Sequence, residues 1–223
     1  MFKTEMHVHT REVSTCCDMP TEQTAIRYIE AGYTTVVITD HFTPAFCREE
    51  GLWHDRIEHF LSGHRRFREV ADGRLCVLLG FELRFEGYAN DYLVYGLGAD
   101  FLRGARDLPF VSRREACERI HEAGGLIYQA HPFRNRMTIL SPEGLDGIEV
   151  LNAHSGHDSR NELAYAFAKH HGLRGIAGTD FHHDYHTPSA GIMTEDPITS
   201  EDELVNILRA GTYRTFGEVV PRD

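Results

Sequence analysis

The chain has 223 residues, enough for one sizeable core, and its 34 Asp and Glu against 23 Lys and Arg leave a formal net charge of -11, which argues against a surface built to wrap nucleic acid. An odd number of cysteines, five, with no apolar leader argues against a secreted disulfide framework, and no apolar run approaches the roughly 18 residues of a membrane span. The expectation is one cytoplasmic domain over residues 1–223, with no membrane partner and no extended nucleic-acid surface, its oligomeric state left open.

Phe2 to His9 reads as a strand, and Thr21 to Ala31 as a helix stopped by Gly32. Thr34 to Thr39 is a β-branched buried strand running into Asp40 and His41. Trp53, Ile57, Phe60, Leu61 and Phe67 recur at helical spacing through about 52–71, which is a core-packing stripe. Leu75 to Leu83 and Tyr92 to Tyr95 are strand-like. Ser112 with Glu115 and Ser200 with Glu203 are capping-box signatures, opening helices that end at Gly124-Gly125 and near Gly211. Leu126 to Ala130, Gly147 to Leu151, Arg174 to Gly178 and Tyr213 to Phe216 fill the intervals as short strands. Repeated strand and helix units predict an α/β fold with a mostly parallel sheet, open or closed.

Fifteen histidines stand out in a chain of this size. His7-Val8-His9 and Asp180-Phe181-His182 each place two metal-binding side chains on one face of an extended segment, because alternate strand residues point the same way. His7, His9, His41, Glu82, His131, Asn152, Asp180 and His182 all fall at or just beyond the C-terminal ends of predicted strands, the face that carries active sites in α/β barrels. Burying so many ionisable groups at one face is costly without a cation. The pattern therefore reads as a polynuclear metal site. Other residues are bland: His59 and His64 sit in a charged helix, His170-His171 at a helix end, and Cys47, Cys76 and Cys117 read as buried thiols or loop residues. His183 and His186 read as loop residues outside the ligand set.

Met6-His7-Val8-His9-Thr10, Ile38-Thr39-Asp40-His41, Gly80-Phe81-Glu82, Ala130-His131-Pro132 and Gly178-Thr179-Asp180-Phe181-His182 form an ordered series. That series resembles the motif set of the PHP (polymerase and histidinol phosphatase) family, over about residues 6–182. The resemblance implies a distorted (β/α)7 TIM-like barrel with two or three divalent ions, Zn, Mn or Fe, at its C-terminal face. Carried over by position, His7 and His9 bind a first ion with Asp180, and Glu82 bridges the first and second. His131 completes the second with Asp91, where relatives place a histidine; a carboxylate there shifts preference towards manganese or iron. The third ion falls to His41, His182 and Cys16, with Asp18 as the alternative to Cys16. A thiolate would favour zinc or iron.

The implied activity is a phosphoesterase hydrolysing a small phosphorylated metabolite, a nucleotide or an oligonucleotide end by metal-activated water. Glu82, Asp180 and His154 are the candidate catalytic residues, His154 either orienting a phosphate oxygen or protonating the leaving group. Arg84 and Arg134 are the candidate phosphate donors, since the planar guanidinium fork matches that ligand, whereas Arg136 reads as solvated. No Gly-x-Ser-x-Gly elbow or Gly-x-x-x-x-Gly-Lys loop occurs, so serine acyl transfer and nucleotide-driven phosphoryl transfer lack support. Two alternatives stand beside this reading. One is a metal-stabilised regulatory or accessory module, and the other an amidohydrolase-like C–N hydrolase, for which no lysine at a strand end offers a bridging carbamate.

Overall fold

Ten strands form one sheet in the order β10-β9-β1-β2-β4-β5-β6-β7-β8, with short β3 paired to β4. The strands are β1 (Phe2–Val8), β2 (Thr35–Ile38), β3 (His41–Phe42), β4 (Cys76–Arg84), β5 (Asp91–Tyr95), β6 (Leu126–Gln129), β7 (Gly147–Asn152), β8 (Arg174–Gly178), β9 (Ala190–Thr194) and β10 (Arg214–Gly217). The helices are α1 (Thr21–Glu30), α2 (Pro44–Arg48), α3 (Trp53–Ala71), α4 (Ala99–Gly104), α5 (Arg113–Glu122), α6 (Asn161–His171) and α7 (Glu201–Ala210). These come from a computed structural model that describes residues 1–219. Just beyond β8, Phe181 bridges in parallel to Val8 at the end of β1, so the sheet curls until its path nearly closes into a barrel surrounded by helices.

The sheet is mixed: among the described residues five of the nine strand pairings are parallel, so the expected mostly parallel sheet holds by a narrow margin. Parallel pairs join β1 to β2, β2 and β3 to β4, and β6 and β8 to β7, whereas β4-β5-β6 and β1-β9-β10 are antiparallel. The connection 85–90 is too short for the crossover that a parallel neighbour requires, so β5 runs back along β4. The reversal sets the first residue of β5, Asp91, opposite Arg84 at the last residue of β4. In the same way β3 sets His41 opposite Glu82. These two registers assemble side chains that are far apart in sequence.

Local signals explain the helix starts. Ser112 and Ser200 accept hydrogen bonds from the backbone N–H of Glu115 and Glu203, each at 3.2 Å, as their capping boxes predict. The apolar stripe of α3 packs Ile57, Phe60 and Leu61 against Phe42, Phe81 and Leu83, while Met6, Val37, Tyr95, Tyr128 and Ile176 share a second core cluster. Among the described residues no helix is long and apolar enough to cross a membrane.

Candidate metal centre

The tautomer of each histidine in β1 is set by its outward nitrogen. His7 Nδ1 lies 3.0 Å from Glu149 Oε1, a carboxylate that only accepts, so this nitrogen carries a proton and Nε2 is the atom left to face a ligand. Ser14 spends its one proton on Asp40 Oδ1 at 2.7 Å. Its oxygen therefore accepts from His9 Nδ1, 3.2 Å away, and leaves a lone pair on His9 Nε2. In His182, Nδ1–H donates to the Asp180 carbonyl at 2.8 Å, which leaves Nε2 to meet Cys16 or, in its place, a metal ion.

The inward Nε2 atoms of His7 and His9 lie 3.1 Å apart. Only a cation fits between two nitrogens at that distance: burial alone would lower the His7 pKa, but Asp180, Glu149 and Glu82 hold it well above its ordinary value, so without metal a proton on His7 bonds His9, and a metal ion would take that proton's place. Tying the outer nitrogen to an acceptor is the usual support of a metal-ligating histidine. Around this point stand Glu82 Oε1 and Asp180 Oδ1, at 3.4 and 3.3 Å from His7 Nε2. Both carboxyls are buried, which by itself would raise their pKa values. The adjacent histidines, His41 and His7 at Glu82 and His7 and His182 at Asp180, outweigh that and hold both well below the usual carboxylate range. Glu82 Oε2 accepts no hydrogen bond although it is buried, and His41 Nδ1 stands 2.7 Å from it. The donor set, imidazole nitrogens and carboxylate oxygens around unpartnered lone pairs, fits divalent cations.

The residues anticipated for the metal ions come together. Ligand atoms of His7, His9 and Glu82, of His7, His131 and Asp180, and of Glu82, Asp91 and His131 form three buried groups, each with its atoms within 4.8 Å of one another. His9, His41 and His182 form a further such group, with Cys16 Sγ 3.2 Å from His41 Nε2. Burial alone would raise the Cys16 thiol, but hydrogen bonds from His182 and His41 bring it down to about 6. Asp18, the alternative to Cys16, turns away and pairs with His183 at 3.1 Å.

The structure separates the two arginines. Arg84 donates through Nε and Nη2 to both oxygens of Asp91, at 2.6 and 2.8 Å. Arg134 reaches Asp180 Oδ2 with Nη1 at 3.2 Å. Both line a cavity of about 470 Å³ with Cys16, His41, Glu82, His131, Asp180 and His182 along its wall, and His154 lies in the same lining.

His154, His182 and His186 also bring ring nitrogens within 4.8 Å of one another, but hydrogen bonding argues against a fourth metal seat. Gly156 N–H donates to His154 Nδ1 at 3.0 Å, and His182 N–H donates to His186 Nδ1 at 2.9 Å. With the Nδ1 lone pair taken, neutral imidazole carries its hydrogen on Nε2, where it can donate and cannot ligate. Burial pushes His154 down to about 4 and His186 to about 3, against the opposing pull of Asp180, so both stay neutral near pH 7.

Three buried carboxylates support the ligands and were not among the anticipated site residues. Glu149 holds His7 and accepts from the His131 backbone N–H at 2.9 Å and from Asn152 Nδ2 at 3.0 Å. Asp40 accepts from Thr10 N–H, Thr10 Oγ1 and Ser14 Oγ, each at 2.7 Å, and so fixes the segment behind His9. Glu5 accepts from the backbone N–H of His7 at 3.0 Å and of Thr179 at 2.8 Å, tying β1 to the segment after β8. Its signal was the alternation that puts residues 5, 7 and 9 on one face; Glu149 had only its charge within an apolar strand. Backbone strain marks the same place, since His131 and Asp180 hold φ of 27° and 53°, conformations that persist in non-glycine residues where surrounding structure enforces them.

The family model described as PHP-associated matches residues 158–213. A 5'-3' exoribonuclease of Haemophilus influenzae is 38% identical over 76 residues, 30% of this chain and 27% of that protein, so the match spans about a quarter of the relative's length. A two-domain protein containing a predicted PHP-like metal-dependent phosphoesterase from Bacteroides vulgatus superposes with a TM-score of 0.67 at 14% identity, covering 97% of this chain and 65% of that one. Endonuclease Q in complex with a 27-mer duplex carrying an abasic lesion superposes with a TM-score of 0.62 at 14% identity, over 94% of this chain and 56% of that one. The expected partner set, a small phosphorylated substrate and no extended nucleic-acid surface, is corrected by these findings, because two of the three proteins act on nucleic acid. Net charge was a poor guide, since an active-site cleft needs only local cations. The PHP-associated match over residues 158–213 and the barrel shared with the PHP-like phosphoesterase structure agree with the resemblance that the ordered ligand motifs carry.

Proposed function

We propose that the chain is a metal-dependent phosphoesterase that hydrolyses phosphodiester bonds of a nucleic-acid strand, working at or near a strand end, with residues 1–223 acting as one domain. The observation that carries the reading is the convergence of the His7 and His9 Nε2 atoms, 3.1 Å apart, beside the buried Glu82 and Asp180 on the wall of an arginine-bearing cavity. The exoribonuclease and endonuclease relatives support a nucleic-acid substrate.

His7, His9 and Asp180 would hold one cation, Glu82 would be shared with a second held by His131 and Asp91, and His41, His182 and Cys16 would hold a third. Such ions supply Lewis acidity and a water nucleophile at neutral pH. The chain's own groups do the rest. Arg134, tethered to Asp180, presents a cation to the phosphate next to the ligand set. Arg84 acts one step back by orienting Asp91. His154 keeps its hydrogen on Nε2 and, being neutral, orients a phosphoryl or leaving-group oxygen by hydrogen bonding, which favours that role over proton donation. The cavity and a cationic group beside the ligands favour catalysis over a purely structural module.

The test is turnover of 5'-phosphorylated single-stranded and duplex oligonucleotides by metal-loaded protein, with Glu82→Gln as control. The expected result is release of short products, with loss in the variant at or beyond the roughly 100-fold upper end seen for outer-shell changes. Absence of turnover on every nucleic acid with each of manganese, zinc and iron would reject the reading.

A further inference from the structure

A second cavity of about 490 Å³ adjoins the metal pocket and shares Arg84, Arg134 and His157 with it, so the two form one continuous groove. Its far wall carries Arg136. Resting on the nucleic-acid reading above, we propose that this groove is a second phosphate subsite, in which Arg136 holds the backbone phosphate next to the scissile one.

The loop that carries Arg136 begins at His131 and is pinned at both ends. Arg134 N–H donates to the His131 carbonyl and Met137 N–H to the Arg134 carbonyl, each at 3.1 Å. Thr138 N–H donates to Asn90 Oδ1 at 3.0 Å, while Asn90 Nδ2 returns a bond to the Thr138 carbonyl at 2.8 Å. Asn90 immediately precedes Asp91, so the loop is clamped to the metal centre at its start and again at its end. Arg160 braces it from outside through the Phe133 carbonyl at 2.8 Å.

Within this frame Arg136 holds φ of 75°, a left-handed conformation that is unfavourable for a non-glycine residue and persists where the surroundings over-determine it. Its guanidinium is exposed and makes no hydrogen bond or ion pair with the described residues. Arg84 and Arg134 are by contrast tied to Asp91 and Asp180. The one acid in the lining, Asp158, accepts from Arg160 N–H at 3.0 Å and does not neutralise Arg136. In a chain of net charge -11, an unpaired cation carried on a pinned loop one step beyond the ligands suits an anionic group of the substrate. A strand supplies that group as its neighbouring phosphate.

The test compares metal-loaded wild type with Arg136→Ala and Arg136→Gly on two substrates. One is a 5'-phosphorylated single-stranded oligonucleotide and the other bis(p-nitrophenyl) phosphate, a diester with a single phosphate. Glycine accepts the backbone conformation without strain, and metal content with far-UV circular dichroism reports on folding. The expected result is a roughly tenfold or larger selective rise in KM on the oligonucleotide, the size of one charge-assisted hydrogen bond, with a shallower dependence of log(kcat/KM) on log salt. Equal losses on the two substrates, or none, with wild type active on both, would overturn the subsite and leave the nucleic-acid reading standing. A wild type that turns over the small diester but no oligonucleotide would overturn both.

Discussion

His7 Nδ1 and Glu149 Oε1 lie 3.0 Å apart, both side chains fully buried, although 142 residues separate them. The carboxylate accepts a hydrogen bond from the outer Nδ1 of the imidazole and so turns Nε2 towards the centre. Glu149→Gln replaces a charged acceptor by an amide that can present either oxygen or nitrogen. The expected outcome is a roughly 10–100-fold loss of metal affinity with the fold retained, measured by competition with a chromophoric chelator. Unchanged affinity would remove Glu149 from the support of His7.

Arg84 and Arg134 separate under substitution. Because Arg84 is spent on both oxygens of Asp91, Arg84→Ala should lower bound metal, with turnover falling in proportion to occupancy. Arg134→Ala should retain metal and lose about tenfold or more in kcat/KM on phosphodiesters. Elemental analysis alongside kinetics checks both, and full metal content in Arg84→Ala would assign that arginine to substrate.

Cys16 is the reactive thiol of the site. In metal-free protein its pKa of about 6, against the ordinary 9.0, means that the thiolate forms as pH rises through about 6. Alkylation by iodoacetamide should therefore rise across that range, where an ordinary cysteine stays slow until near pH 9. Loading with metal should protect it, and Cys16→Ser should weaken one ion of the set. Unaltered metal stoichiometry and affinity in the serine variant would exclude the thiol as a ligand.

Gly63 of α3 lets that helix sit against the loop behind His9. An added Cβ would come within 2.1 Å of Thr10 Oγ1 and 2.8 Å of Asp40 Oδ2. Gly63→Ala should cost about 1–3 kcal/mol by overpacking and weaken metal binding as well, because Asp40 and Ser14 hold His9. Gly104→Ala, where nothing lies within 4 Å, is the control. Denaturant unfolding of the two variants measures the difference, and a Gly63→Ala protein as stable as wild type would contradict the contact.

Local chemistry made much of this chain legible in one dimension. The pairs at positions 7 and 9 and at 180 and 182 point one way because a strand alternates, the serine caps start α5 and α7 through hydrogen bonds spanning three residues, and the apolar stripe of α3 follows helical period. The ordered placement of His41, Glu82 and His131 at strand ends carried the family resemblance and hence the barrel. None of these inferences needs a distant partner.

Tertiary structure decided what depends on two segments meeting. The return of β5 along β4 fixes Asp91 against Arg84, and so turns an anticipated phosphate donor into a ligand's support; that follows from a short connection and a register, which composition does not encode. Glu149 is an undistinguished charge in a strand until β7 is placed beside the barrel mouth, where the cost of burying it unpaired makes His7 its partner. Tautomers were equally hidden, since His154 and His186 differ from His7 and His9 only in whether a backbone donor or a carboxylate or hydroxyl acceptor meets Nδ1. A sequence names the imidazole, and only the packed chain decides which of its nitrogens keeps the lone pair.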